Sequence, residues 1–228
     1  MSTKILITDP LSKKGIEFLK ESGLEVIYKP NASLDEIKIH LSDISGWIIR
    51  SGTRITEQNI SDAKKLQIIG RAGVGTDNID IDSATKSGVV VMNVPDGNTI
   101  SAAEHTIAMM MSLSRNIHLG HMSLISGNWD RNKLVGNELR GKTLGVVGLG
   151  KIGREVIKRT LSYDMKILGF DPFVSQDSFD ENEVKIVTLD ELTTSSDYIT
   201  LHVPMMASTK NLFNLDRLKM MKSNAKII

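Results

Sequence analysis

Three glycines, Gly148, Gly150 and Gly153, stand in G-x-G-x-x-G spacing, and the acid Asp171 follows about 20 residues later. Residues of these types in this order suit a diphosphate and a ribose. The first glycine permits a sharp turn, the second lets backbone approach a pyrophosphate, and the third lets a helix pack closely on a strand. Unpaired amides and a partial positive charge at the helix start favour the phosphates. Asp171 can accept protons from both hydroxyls of an adenosine ribose, and its charge repels a 2′-phosphate. The pattern therefore favours NAD over NADP.

A glycine triplet alone is weak evidence, so its flanks decide. Leu144, Val146 and Val147 form the apolar run of a buried strand, and Ile152, Val156, Ile157 and Leu161 then recur at helical spacing. A second strand, Lys166–Phe170, delivers Asp171 at its end. A glycine-rich turn with no ligand accounts for the glycines, but not for strand, helix, spacing and acid together.

The 228 residues are 40% hydrophobic and 24% charged, an ordinary globular composition with chain enough for one large or two small domains. A net charge of +1, without runs of like charge, gives no footprint for nucleic acid or an anionic membrane, and neither is expected as a partner. The absence of cysteine removes disulfides, thiolate catalysis and cysteine metal sites. His118 and His121 have i,i+3 spacing, but two imidazoles without a third ligand predict no metal site. The opening MSTKILITD runs straight into a strand pattern, and no window approaches about 18 consecutive apolar residues. The expected location is the cytoplasm.

Through about residue 97, apolar runs at Lys4–Thr8, Glu25–Tyr28, Gly46–Ile49, Leu66–Ile69 and Val89–Met92 read as strands. Helical segments at Ser12–Glu21, Leu34–Leu41, Glu57–Ala63 and Ile81–Lys86 alternate with them. Ile16, Phe18 and Leu19 are expected to face inward from the first helix, and Leu34, Ile37 and Leu41 from the second. This alternation predicts βαβ units and a mainly parallel sheet. Arg50 and Arg71 follow the third and fourth strands, where the loops of such a sheet gather ligands; a surface arginine paired with an acid is the alternative for each. The proline–glycine break Asn93–Asn98 marks a domain crossover.

Beyond it, a long helix over Ser101–Ile117 has Ser101 and Glu104 in capping-box spacing, and a weaker helix runs over Leu119–Ser126. After Asp171 the spacing predicts a strand at Lys185–Val187, a helix at Leu189–Ser195, a strand at Tyr198–His202 and a helix rich in lysine and methionine to about Lys222. Ala225–Ile228 reads as the start of another strand, so the chain is expected to be cut short.

Six collinear pieces carry a family resemblance: IIRSGTRIT (48–56), IIGRAGVGTDNID (68–80), VMNVPDGNTISAAEHTIAMMM (91–111), GKTLGVVGLGKIGREV (141–156), FDP (170–172) and ITLHVP (199–204). The chain resembles the D-2-hydroxyacid dehydrogenases, and within them the phosphoglycerate branch. The resemblance implies an α/β fold of two similar parallel-sheet domains with the active site in the cleft between them. Residues 1–97 would form a flavodoxin-like substrate-binding domain, and residues 98–228 a Rossmann NAD-binding domain lacking its C-terminal part. The implied reaction is NAD-dependent oxidation of 3-phospho-D-glycerate to 3-phosphohydroxypyruvate, a step of serine biosynthesis. Glyoxylate or hydroxypyruvate reduction is the competing chemistry. A non-catalytic NAD-binding module is the competing class if the chain truly ends at Ile228.

By the same resemblance Arg50 holds the substrate phosphate, which suits a guanidinium fork, and Arg71 has a similar case. Val74 and Gly75 offer backbone amides to the substrate carboxylate, and Val74 also approaches the nicotinamide. Lys151 and Ile152 bring amides to the pyrophosphate, with Ile152 serving equally as a core residue, and His202, Val203 and Pro204 lie against the adenosine and ribose. The family's catalytic arginine, glutamate and histidine follow the strand that begins at Ala225, so none of the five histidines is assigned that role. This chain alone is expected to be inactive. A homodimer or homotetramer through the cofactor domain is implied, with Trp129 and the helix before it at the contact, and Met109–Met111 as core or interface packing.

Overall fold

Apolar runs and helix caps organise the chain in this computed structural model, which describes residues 3–228 apart from the side chain of Leu34. The inward position expected of Leu34 lies outside the described residues. Two compact units result, Met1–Asn98 and Thr99–Ile228.

The first unit alternates β1 (Lys4–Ile7), α1 (Lys13–Glu21), β2 (Glu25–Tyr28), α2 (Leu34–Leu41), β3 (Gly46–Ile49), α3 (Glu57–Asp62), β4 (Ile68–Arg71), α4 (Ile81–Lys86) and β5 (Val90–Asn93). The five strands are parallel in the order β2-β1-β3-β4-β5, a flavodoxin-like order that reverses between β1 and β3. Leu6, Trp47, Ile49 and Ile69 project from one face of the sheet to meet Ile37 and Leu41 of α2, Ile60 of α3 and Ala84 of α4. The helices start where side chains satisfy their first amides. Ser12 caps α1, and Ser33–Glu36 and Thr56–Asn59 form reciprocal capping boxes on α2 and α3.

Two expectations change here. Phe18 is 67% exposed, while Ile16 and Leu19 are half-buried. Phe18 sits roughly 100° around the helix from Leu19, on the far side of that narrow stripe. The fourth strand begins at Ile68 rather than Leu66, because its ladder with β3 runs from Gly46↔Ile68 to Ile49↔Arg71. Leu66 is buried but belongs to the turn before the strand, and Arg71 ends the strand instead of following it.

The second unit holds α5 (Thr99–Arg115), α6 (Ile117–Ile125), β6 (Thr143–Val147), α7 (Lys151–Thr160), β7 (Lys166–Phe170), β8 (Val184–Ile186), α8 (Leu189–Ser195), β9 (Tyr198–Leu201), α9 (Leu215–Met220) and β10 (Lys226–Ile227). Its parallel order is β10-β9-β6-β7-β8. Counted from β6 as the first strand and read from the β8 edge this is 3-2-1-4-5, the Rossmann-like order, which reverses between β6 and β9. Leu144, Val146, Ile167 and Tyr198 pack against Ala103 and Met110 of α5 and Val156 and Ile157 of α7. Val147, Leu192 and Ile199 form the smaller core on the opposite face.

α5 starts at Thr99, directly after the turn at Pro95–Asn98, so Ser101 lies inside the first turn and is not the N-cap. α6 starts at Ile117 rather than Leu119, after Asn116 turns the chain in the left-handed region (φ 53). None of its residues is buried. Among the described residues no helix is long and apolar enough to cross a membrane.

Leu144→Ala, which empties a fully buried position of the β6 core, should cost about 2–5 kcal/mol in denaturant unfolding. Phe18→Ala, at the solvated face of α1, should stay within about 0.5 kcal/mol.

Candidate functional site

In the second unit the chain leaves β6 through Gly148 with φ +94, a conformation that side chains rarely tolerate. A β-carbon there would sit 2.5 Å from the carbonyl oxygen of His202, which follows β9. The His202 amide in turn donates to the Val147 carbonyl at 2.7 Å. Gly153, one turn into α7, is equally constrained, because a β-carbon would collide with the Gly148 carbonyl.

Gly150 differs. Apart from its chain neighbours and the backbone of its own helix, no protein atom lies within 4 Å of where its β-carbon would be. The protein does not require glycine there for its own packing, so the space suits a ligand's close approach. Gly150 is also the N-cap of α7 and brings no side chain to the helix start, an end that favours an anion. These residues fit a dinucleotide's diphosphate.

Asp171, just past β7, is half-buried and tied to this turn. Its Oδ2 accepts the Leu149 amide at 2.9 Å and its Oδ1 accepts the Phe173 amide at 2.9 Å. A carboxylate offers about four lone-pair sites, so two remain for ribose hydroxyls. His202 is partly buried, with Nε2 2.9 Å from Thr200 Oγ1. Burial holds its pKa at about 4, so the ring is neutral at neutral pH. Val203 lies against Gly148, with Cγ1 2.9 Å from the missing β-carbon, whereas Pro204 is exposed. Lys151 is exposed and Ile152 packs against the core, so Ile152 combines a core side chain with a first-turn amide.

The first unit gathers the other candidates at the C-terminal ends of β3 and β4. Arg50 is exposed, Arg71 is half-buried, and neither has an acidic partner among the described residues. The buried Nε of Arg71 has no hydrogen-bond partner there, and its guanidinium lies over Gly73, where a β-carbon would overlap it. The Val74 carbonyl accepts from Asn93 Nδ2 at 2.6 Å. The amides of Val74 and Gly75 have no partner among the described residues, so both can serve an anion. His118 and His121 are exposed, and no group of three potential metal ligands occurs among the described residues.

Sequence reasoning missed Arg154, Asp9 and Asn78. Arg154 Nε donates to the Leu149 carbonyl at 3.0 Å, and its guanidinium sits 4.4 Å from the Phe179 ring centroid. Its place directly after the last glycine of the turn was the available signal. Asp9 and Asn78 both grip the loop after β3, and no local pattern signals it, because their partners are distant along the chain.

Residues 107–228 match the family model for the D-isomer specific 2-hydroxyacid dehydrogenase NAD binding domain. The chain is 44% identical to D-3-phosphoglycerate dehydrogenase of Archaeoglobus fulgidus and 43% identical to that of Rattus norvegicus. Each match covers 99% of this chain but only 43% and 42% of those proteins, so the chain spans less than half their length. Among solved structures, NAD-dependent formate dehydrogenase from Staphylococcus aureus in complex with NAD is 31% identical with a TM-score of 0.89. The TT0316 protein from Thermus thermophilus is 30% identical with a TM-score of 0.90. Both cover 99% of this chain and 72% of the other. The cofactor of this domain is NAD.

Gly153→Ala should lower stability measurably, since the Gly148 carbonyl must move, while Gly150→Ala should unfold like the parent. His202 gives a second test. As pH falls, the unfolded chain, with an ordinary pKa near 6.5, protonates this imidazole before the folded state does. The unfolded state thus binds more protons in this window, and stability rises with pH. Folding free energy should weaken from pH 6.5 toward 4, and His202→Asn should flatten that stretch in denaturant titrations.

Proposed function

This chain belongs to the D-isomer specific 2-hydroxyacid dehydrogenases, and from that premise we propose NAD-dependent oxidation of 3-phospho-D-glycerate to 3-phosphohydroxypyruvate. The observation that carries the substrate choice is the pair Arg50 and Arg71, without acidic partners at the C-terminal ends of β3 and β4. A substrate bearing both phosphate and carboxylate needs two such cations. The A. fulgidus and R. norvegicus relatives are phosphoglycerate dehydrogenases by name, which supports the same reading.

In this reading residues 1–97 form the substrate-binding domain and 98–228 part of the NAD-binding Rossmann domain. Arg50 holds the phosphate, and Arg71 with the Val74 and Gly75 amides holds the carboxylate end. Gly148, Gly150 and Gly153 shape the diphosphate cradle, and the amides of Lys151 and Ile152 close it. Asp171 takes the ribose hydroxyls, and His202, Val203 and Pro204 wall the adenosine side. When bound, NAD accepts the hydride from the substrate's C2. The residues of this chain bind and orient; none is assigned the hydroxyl proton. The exposed apolar side chains Ile117, Met122, Ile125 and Trp129 of α6 and its following loop would form a homodimer or homotetramer contact. We place the protein in the cytoplasm.

The complete gene product should turn over 3-phosphoglycerate with NAD far better than D-glycerate, read from absorbance of the reduced nicotinamide. A preference for glyoxylate or hydroxypyruvate would replace this substrate with an unphosphorylated one. NAD binding without turnover of any of these acids would leave a cofactor-binding module. Asp171→Ala should weaken NAD about tenfold or more in calorimetry and relax discrimination against NADP. Gly150→Ala should weaken NAD without changing the unfolding midpoint.

A further inference from the structure

In the first unit the strand order reverses between β1 and β3, the place where such sheets gather ligands, and a carboxylate fills it. Asp9, two residues past β1, is 4% exposed. Its Oδ2 accepts both the Arg50 amide at 2.6 Å and the Thr53 amide at 3.1 Å, which closes the Arg50–Thr53 turn around one oxygen. Its Oδ1 lies against Gly52, where a β-carbon would overlap it. From the other side, Asn78 Nδ2 donates to the carbonyls of Arg50 at 2.7 Å and Thr53 at 2.5 Å. A partly buried pair of hydroxyls adds a third hold: Thr53 Oγ1 bonds Thr8 Oγ1 at 2.8 Å, which also receives the Trp47 indole N–H at 3.0 Å.

Both backbone polar groups of Arg50 are thus occupied, by side chains from two neighbouring segments. Its own side chain stays exposed with no acidic partner among the described residues. Burying a carboxylate is costly unless charge-assisted donors meet it, and here both donors to Oδ2 come from one short turn. Core packing alone does not call for a carboxylate at this position. Holding a turn that presents a cation does.

We propose that Asp9 is the positioning residue that presets the Arg50 turn for the phosphate of a phosphorylated 2-hydroxy acid. The inference rests on the reading of Arg50 as the phosphate holder. A turn containing Gly52 and freed from its anchor must be ordered again on each binding event. The loss therefore falls on binding of the phosphorylated substrate and spares the chemical step.

The test compares KM, kcat and calorimetric Kd for 3-phosphoglycerate and D-glycerate on the NAD-loaded complete gene product. Asp9→Ala should raise KM and Kd for 3-phosphoglycerate about tenfold, with kcat within about twofold and D-glycerate binding unchanged. Asp9→Asn keeps an oxygen for both amides and should recover most of the loss. Gly52→Ala, which pushes on the same carboxylate from the loop, should reproduce the defect, and it carries the test if Asp9→Ala does not fold. If Arg50→Ala weakens 3-phosphoglycerate but Asp9→Ala and Gly52→Ala do not, the positioning role is wrong and the phosphate reading stands. An equal loss for both substrates without rescue by Asp9→Asn also overturns it, because Asp9 is then simply structural. If Arg50→Ala leaves 3-phosphoglycerate binding unchanged, the phosphate reading itself has failed.

Discussion

The close approach of two strand ends governs the second unit. The His202 amide reaches the Val147 carbonyl at 2.7 Å, and its own carbonyl then leaves no room for a side chain at Gly148. That contact sits where the sheet order reverses, directly before the turn that leads into α7. From there the demands propagate. Gly148 must take a positive φ, Gly153 must let α7 lie against the Gly148 carbonyl, and Gly150 is left facing open space. A cofactor cradle appears because the protein's own packing claims two of the three glycines and leaves the third.

Both units solve the same local problem with the same device. In each, a carboxylate just past one strand accepts the backbone amide of the loop that follows a neighbouring strand. Asp171 after β7 holds Leu149 after β6, and Asp9 after β1 holds Arg50 after β3. Parallel sheets place all strand C-termini on one edge, where loops lack ladder partners for their amides. A short acid at a strand end supplies that partner without adding a secondary-structure element. In one unit the loop so held is the glycine turn, and in the other it carries an arginine.

Local pattern made much of this legible. The bounds of β2, β3, β7 and α8 follow directly from runs such as EVIY, GWII and KILGF, since apolar periodicity and caps are read within a few residues. The glycine turn was legible for the same reason. Errors arose where a distant partner decides. β4 starts at Ile68 because β3 sets its register, and Phe18 faces solvent because the inward stripe of α1 is narrow. Asp9 and Asn78 were invisible because their partners lie 41 and 28 residues away along the chain. Nothing in the local sequence distinguishes such an acid from a solvated one.

The two tryptophans fall one to a unit and in opposite surroundings. Trp47 is fully enclosed in the first core with its indole N–H bonded to Thr8, whereas Trp129 is 79% exposed in the second unit. Emission from a buried indole shifts when its core opens, and emission from a solvated one has little left to change. As a single chain the protein therefore carries a built-in optical label for one half only: the change in its fluorescence on unfolding follows the unit that holds Arg50.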